Sequence, residues 1–145
     1  MANGMHGRYL GVDYGDVRTG LAISDISGFL ASGIGQISPG GMHNTARLVA
    51  EEAKKQGAVR IIVGLPKNMD GSEGFRAETV RAFVALLAGE TDIPIDLADE
   101  RLSTCEAHRY LQSTGTGGKK RKGVVDTLSA QIILQDYLDR EKTAK

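Results

Sequence analysis

The sequence is poor in three things that usually narrow a protein's class: cysteine, net charge and long apolar runs. Its only cysteine is Cys105, which excludes an internal disulfide and a multi-cysteine zinc site and fits a reducing compartment. Eighteen Lys and Arg balance 18 Asp and Glu, so no global basic field draws the chain onto nucleic acid or an anionic membrane. Any nucleic-acid affinity has to come from a local cluster. The opening M-A-N-G-M-H-G holds no apolar core of signal-peptide length, and no later run approaches membrane-spanning length. These absences lead to the expectation of a soluble, cytoplasmic protein without a membrane partner. Its 145 residues suit one domain, 1–145, with one contiguous core.

What is present is an alternation of strand and helix signals. Tyr9 to Val12 lead into Asp13, and V-R-T-G-L-A-I-S-D follows a turn-like Y-G-D, a pattern that predicts a hairpin. A third short strand is expected near Ile34 to Ser38. From Asn44 to Gln56 the apolar positions Ala46, Val49, Ala50 and Ala53 recur at helical spacing, and Gly57 supplies a stop. The β-branched run V-R-I-I-V-G-L-P suits a parallel strand covered on both faces, and N-M-D-G-S-E-G reads as a loop. Residues 75 to 88 predict a second helix with Phe75, Thr79, Ala82, Phe83 and Leu86 on one stripe. The strand I-P-I-D-L-A-D comes next. Ser103 to Gln112 predicts a helix opened by the capping box Ser103-x-x-Glu106. The glycine-rich, charged segment 114–123 predicts a flexible basic loop. A last helix is expected over Asp126 to Arg140, with Leu128, Ile132, Gln135, Tyr137 and Leu138 on its face. The order describes an α/β sandwich with a mixed sheet.

Three carboxylates stand at predicted element ends: Asp13, Glu100 and Asp126. Each has an ordinary explanation. Asp13 shapes a glycine turn, the acids after Ala98 are a solvated strand end, and Asp126 complements a helix N-terminus. Taken together, three hard oxygen donors without a His or Cys cluster suit Mg2+ or Mn2+ rather than zinc. Such a cluster serves phosphodiester hydrolysis, where ions about 4 Å apart activate water and stabilise the leaving oxygen. His6, His43 and His108 are scattered and read as surface or packing residues. Lys119, Lys120, Arg121 and Lys122 form the densest positive run in the chain, either a solvated stretch or a means of following a phosphate backbone without reading bases.

Four strings occur in order: L-G-V-D-Y-G-D-V-R-T-G-L-A-I-S-D at 10–25, V-G-L-P-K-N-M-D-G-S at 63–72, D-E-R-L-S-T at 99–104 and K-K-R-K-G-V-V-D-T-L-S-A at 119–130. Together they resemble the YqgF family, the Holliday-junction-resolvase-like proteins of the ribonuclease H-like superfamily, also described as pre-16S ribosomal RNA nucleases. The resemblance runs nearly end to end. Ser129 departs from it in place of a small residue that is usually alanine. The resemblance implies a ribonuclease H-like three-layer fold with a five-stranded mixed sheet of order 3-2-1-4-5, strand 2 antiparallel, flanked by helices. It implies Asp13, Glu100 and Asp126 as catalytic, metal-holding residues. In that strand order the second acid comes from two strands away, roughly 10 Å, a reach that favours Glu100 over Asp99. Arg18, Lys67 and Arg101 join Lys119 to Lys122 as candidate substrate-binding residues; Arg18 and Arg101 either pair with the acids or contact phosphate. Tyr14 either stacks on a base or packs in the core.

The resulting expectation is a divalent-metal-dependent nuclease acting on structured RNA, in 5′-end processing of pre-16S rRNA. Alternatives are a resolvase of branched, four-way DNA junctions and a non-catalytic RNA-binding assembly factor. A nucleotide-binding reading of D-Y-G-D-V-R-T-G, after the first phosphate loop of the actin and sugar-kinase group, meets a chain too short for their paired domains and no second glycine-rich phosphate loop. A monomer or a homodimer is compatible with the sequence.

Overall fold

The computed structural model describes residues 7–38, 40–99 and 118–143, and in the last of these segments the side chains of 127–141. Five strands, β1 (Arg8–Asp13), β2 (Thr19–Ser24), β3 (Ala31–Ile37), β4 (Ala58–Leu65) and β5 (Ile95–Asp99), alternate with α1 (Met42–Lys55), α2 (Phe75–Ala88) and α3 (Gly118–Thr143). The sheet order is β3-β2-β1-β4-β5. β2 runs antiparallel to β1 and β3, whereas β1, β4 and β5 are parallel. This is the expected ribonuclease H-like three-layer arrangement.

Side-chain alternation sorts the sheet into two faces. Leu10, Val12, Leu21, Ile23, Ile61, Val63 and Leu65 pack against Ala46, Val49 and Ala53 of α1 and Val80, Phe83 and Leu87 of α2. The opposite face presents Tyr9, Ala22, Ala31, Ile62 and Ala98 to Ala130, Ile133, Leu134 and Leu138 of α3. That second face is paved with small residues, so α3 lies close. A Cβ on Gly11 would stand 2.8 Å from Leu134 Cβ and 3.1 Å from the Ala130 carbonyl oxygen. Both faces of β4 are covered, as its β-branched run anticipates.

Polar contacts fix α3 sideways. At successive turns of the helix, the Thr127 hydroxyl donates to the Gly35 carbonyl at 3.4 Å, Gln131 Nε2 to the Ala31 carbonyl at 3.2 Å and Gln135 Nε2 to the Phe29 carbonyl at 2.9 Å. Gln135 Oε1 accepts the Ala31 N–H at 2.9 Å. These side chains satisfy backbone groups that an edge strand would otherwise leave open. On the far side of α3, Tyr137 and Arg60 both donate to Asp96, at 2.5 and 2.7 Å.

Several expectations need correction. α3 begins at Gly118, not Asp126, so residues 118–123 of the expected basic loop are its first turns. Lys and Arg are good helix formers, and the cost of Gly118 and Gly123, about 1 kcal/mol each, falls on a helix whose later turns are anchored by packing. Residues 114–117 and the expected helix Ser103 to Gln112 lie outside the described residues. In α2 the buried stripe is Ala77, Val80, Phe83 and Leu87, while Phe75, Ala82 and Leu86 face solvent. In α3 the deepest positions are Ser129, Ala130, Ile133, Leu134 and Leu138 rather than Leu128, Ile132 and Gln135. β3 starts at Ala31, three residues before the expected Ile34.

Candidate active site

Asp13 is the last residue of β1 and is half-buried. Tyr9 faces α3 and Gly11 lies against it, so alternation puts Asp13 on the same side. Its neighbours there are small. Gly20 pairs with it directly on β2. On the other flank the register Val12↔Val63 continues to Gly64, and Gly64 pairs with Ala98 of β5. The carboxylate therefore stands over a floor without bulky side chains. The strand order also reverses between β1 and β4, and ligands of open α/β sheets bind at such a switch point, beyond the carboxyl ends of the strands.

The turn after Asp13 is held from inside. The Gly15 N–H donates to Thr19 Oγ1 at 3.4 Å, and Thr19 is fully buried. A Cβ on Gly15 would come 2.4 Å from the Arg18 carbonyl oxygen, so only glycine fits. Tyr14 is buried, its ring stacked on Phe83 at 4.4 Å and 18°; of its two expected roles it takes the packing one. Burial, and secondarily the Asp16 charge, pushes its hydroxyl above the ordinary tyrosine value. Arg18 is half-buried in this turn.

A second loop borders the site. Lys67 is half-buried just past β4. Asn68 and Ser72 join through backbone at 2.9 Å and side chains at 3.0 Å, Asp70 accepts from the Ser72 hydroxyl at 2.6 Å, and Gly71 takes φ +90°. The N-M-D-G-S loop is thus tied to itself. Behind it Arg81 grips Glu73 through two hydrogen bonds of 2.8 Å. That hydrogen bonding, with the charges of Arg81 and Lys67 behind it, holds the Glu73 carboxyl below the usual range.

Asp13, Arg18 and Lys67 thus lie in β1, the turn after it and the loop after β4. Asp126 belongs to α3, as do Lys119, Lys120, Arg121 and Lys122; their side chains lie outside the described residues, as do Glu100 and Arg101. Asp99 ends β5. His43 is an exposed residue 3.2 Å from Glu90, as expected of a surface histidine. Sequence reasoning missed the Arg60, Asp96 and Tyr137 cluster. Its local signal is a charged residue in the interior of each of two largely apolar strands.

A family model described as RuvX, Holliday junction resolvase, matches residues 7–140. The chain belongs to the RuvX family. Curated relatives share its length. A protein of Halothermothrix orenii is 46% identical over 132 residues, covering 91% of this chain and 94% of its own. One of Caldanaerobacter subterraneus is 42% identical over 138 residues, covering 94% and 99%. Both carry the name "Putative pre-16S rRNA nuclease". Among solved structures, T. thermophilus RuvC in complex with a Holliday junction substrate has a TM-score of 0.55 at 12% identity, covering 95% of this chain and 98% of its own. The fowlpox virus resolvase in complex with Holliday junction DNA gives 0.57 at 13%, covering 95% and 99%. These likenesses identify the fold, and RuvX membership places the chain in a nuclease family.

Proposed function

We propose that this RuvX protein is a divalent-metal-dependent nuclease that hydrolyses phosphodiester bonds in structured RNA, acting in the cytoplasm on the 5′ end of pre-16S rRNA. The observation that carries the reading is Asp13: a carboxylate at the switch point of the sheet, flanked on its own face by Gly20 and Gly64 with Ala98 beyond. That floor leaves room for a hydrated cation and a phosphate. Glu100 and Asp126 complete the donor set in this reading. Ala98 lies on the α3 side of β5, and position 100 is the next residue of that parity. Ala130 packs over Gly11, and position 126 is one helical turn before it.

An all-carboxylate donor set fits Mg2+ or Mn2+. When bound, such ions supply activation of the attacking water and stabilisation of the leaving oxygen. The chain's own part is to hold the three carboxylates on rigid elements and to fix the scissile phosphate. Arg18, Lys67, Arg101 and the Lys119 to Lys122 run neutralise the flanking phosphates, which sets register without reading sequence.

The names of the curated relatives favour ribosomal precursor RNA; the family description favours a four-way DNA junction. Cleavage of a pre-16S fragment and of a junction, side by side with Mg2+ or Mn2+, decides between them. Metal-dependent cutting of the RNA, lost in Asp13→Asn and Asp126→Asn, is the expected result. Activity that persists unchanged in both variants overturns the metal-site assignment. Tight rRNA binding with no cutting under any metal makes the protein a non-catalytic assembly factor.

A further inference from the structure

A cleft opens beside the Asp13 turn, on the α2 side of the sheet, lined by Tyr14, Gly15, Asp16, Phe75, Arg76 and Val80. It is a shallow depression of about 50 Å3, well below the roughly 300 to 1,000 Å3 of enclosed ligand sites, so it suits a group resting on its rim rather than a buried ligand. Phe75 is 80% exposed although it opens a helix whose other aromatic residue, Phe83, is fully buried. Among the described residues that ring joins neither core cluster. Val17 and Met69, from the two loops bordering the site, are also largely exposed. Arg76 is exposed and has no ion-pair partner among the described residues. The cleft wall is firm, because Tyr14 is stacked on Phe83 beneath it.

An exposed ring beside a free guanidinium is the combination that holds single-stranded nucleic acid, since every base has a π-face and every linkage a phosphate. We propose that this cleft is a nucleotide subsite: Phe75 stacks on an unpaired base of the substrate strand where that strand passes over the turn after Asp13, and Arg76 holds the phosphate of that nucleotide. Its placement relative to the chemistry rests on the nuclease reading above. Charge argues for a nucleotide over an apolar peptide, because Arg76 and Lys67 face the same end of the sheet. Asp16 lines the opposite side of the cleft and disfavours a second phosphate there, which limits the subsite to one nucleotide.

The test measures binding, not cleavage, with the full chain in EDTA. The probes are a short single-stranded oligonucleotide carrying 2-aminopurine, in ribo and deoxy forms, and its blunt duplex. Phe75→Ala is expected to weaken the single strand roughly 5- to 150-fold, the range for loss of one stacked base, and to leave the duplex unchanged. Phe75→Trp restores both affinity and 2-aminopurine quenching. Arg76→Ala lowers the salt slope of single-strand binding by about 0.7, one phosphate's share. Equal ribo and deoxy affinities assign the subsite to the base alone, and a ribo preference adds the 2′-hydroxyl. Unchanged single-strand binding in Phe75→Ala, an equal loss on the duplex, or no wild-type binding at all overturns the subsite. Circular dichroism of each variant separates these outcomes from misfolding. Because no metal is present, failure of the nuclease reading leaves this result standing, and the reverse also holds.

Discussion

The Tyr137 hydroxyl on α3 and the Arg60 guanidinium on β4 converge on one oxygen of Asp96 on β5. The Tyr137 hydrogen bond first, and Arg60 second, hold the Asp96 carboxyl below the ordinary range. Burial, and then that same bond, pushes Tyr137 above the ordinary tyrosine value. Arg60 and Asp96 remain 37% and 38% exposed, so solvent screening trims the energy. Tyr137→Phe is expected to cost about 1 kcal/mol, read as a fall of roughly 3 °C in Tm. The deficit relative to wild type shrinks at both pH extremes. Asp96 has a lowered value, so its contribution is present above about pH 4 and fades as acid protonates it. Tyr137 has a raised value, so its share is full below about pH 10 and is lost as alkali ionises it.

Asp25 gives a sharper acid signature. It accepts from the Ser27 hydroxyl and from the N–H groups of Phe29 and Leu30 at 2.8 and 3.0 Å, closing the β2–β3 turn. The Ser27 bond foremost, with the backbone bonds of Leu30 and Phe29, draws its carboxyl down to about 2. A lowered value stabilises the fold above the unfolded value of about 3.9, and that contribution vanishes as pH falls through about 2. Urea titrations of wild type and Asp25→Ala are therefore expected to differ at pH 6 and to converge between about pH 4 and pH 2.

Gly11→Ala tests how closely α3 lies on the sheet. The added methyl would meet Leu134 Cβ at 2.8 Å and the Ala130 carbonyl at 3.1 Å, atoms that move only if the helix moves. A loss of about 1–3 kcal/mol is expected. Gly40→Ala is the control, since its Cβ meets nothing within 4 Å, and chemical denaturation of the pair reads the difference.

Much of this architecture is legible in local pattern. Gly57 takes φ +70° at the end of α1, a conformation glycine adopts without strain, so the stop could be read directly. The β-branched run of β4 announces a strand buried on both faces. The facing of α2 is different. Periodicity registers Phe75 and Leu86 as apolar without knowing that the sheet lies on the side of Ala77 and Val80. The start of α3 is hidden for the converse reason, because glycine and lysine look like loop until the later turns of the helix are anchored. Of the site, Asp13 is legible because an apolar strand ends in it. The Asp96 cluster is not, since its partners lie 36 and 41 residues away and meet only through the sheet register.

The basic run now belongs to the opening turns of α3, and its role has a quantitative readout. Replacing Lys119, Lys120, Arg121 and Lys122 by alanine is expected to reduce the slope of log affinity against log salt by up to about 3.6 on duplex substrates, at 0.9 per phosphate contact. An unchanged slope reduces the run to solvated surface.

Thr127, Gln131 and Gln135 bear on how molecules of this protein behave toward one another. Their side chains occupy the backbone groups of Ala31 and Gly35 that an incoming strand would use. Three hydrogen-bonding groups of the β3 edge are thus taken up by the protein's own last helix, and a strand docking there has to displace them. Lifting of one helix, rather than global unfolding, is then enough to free those groups for self-association on this side.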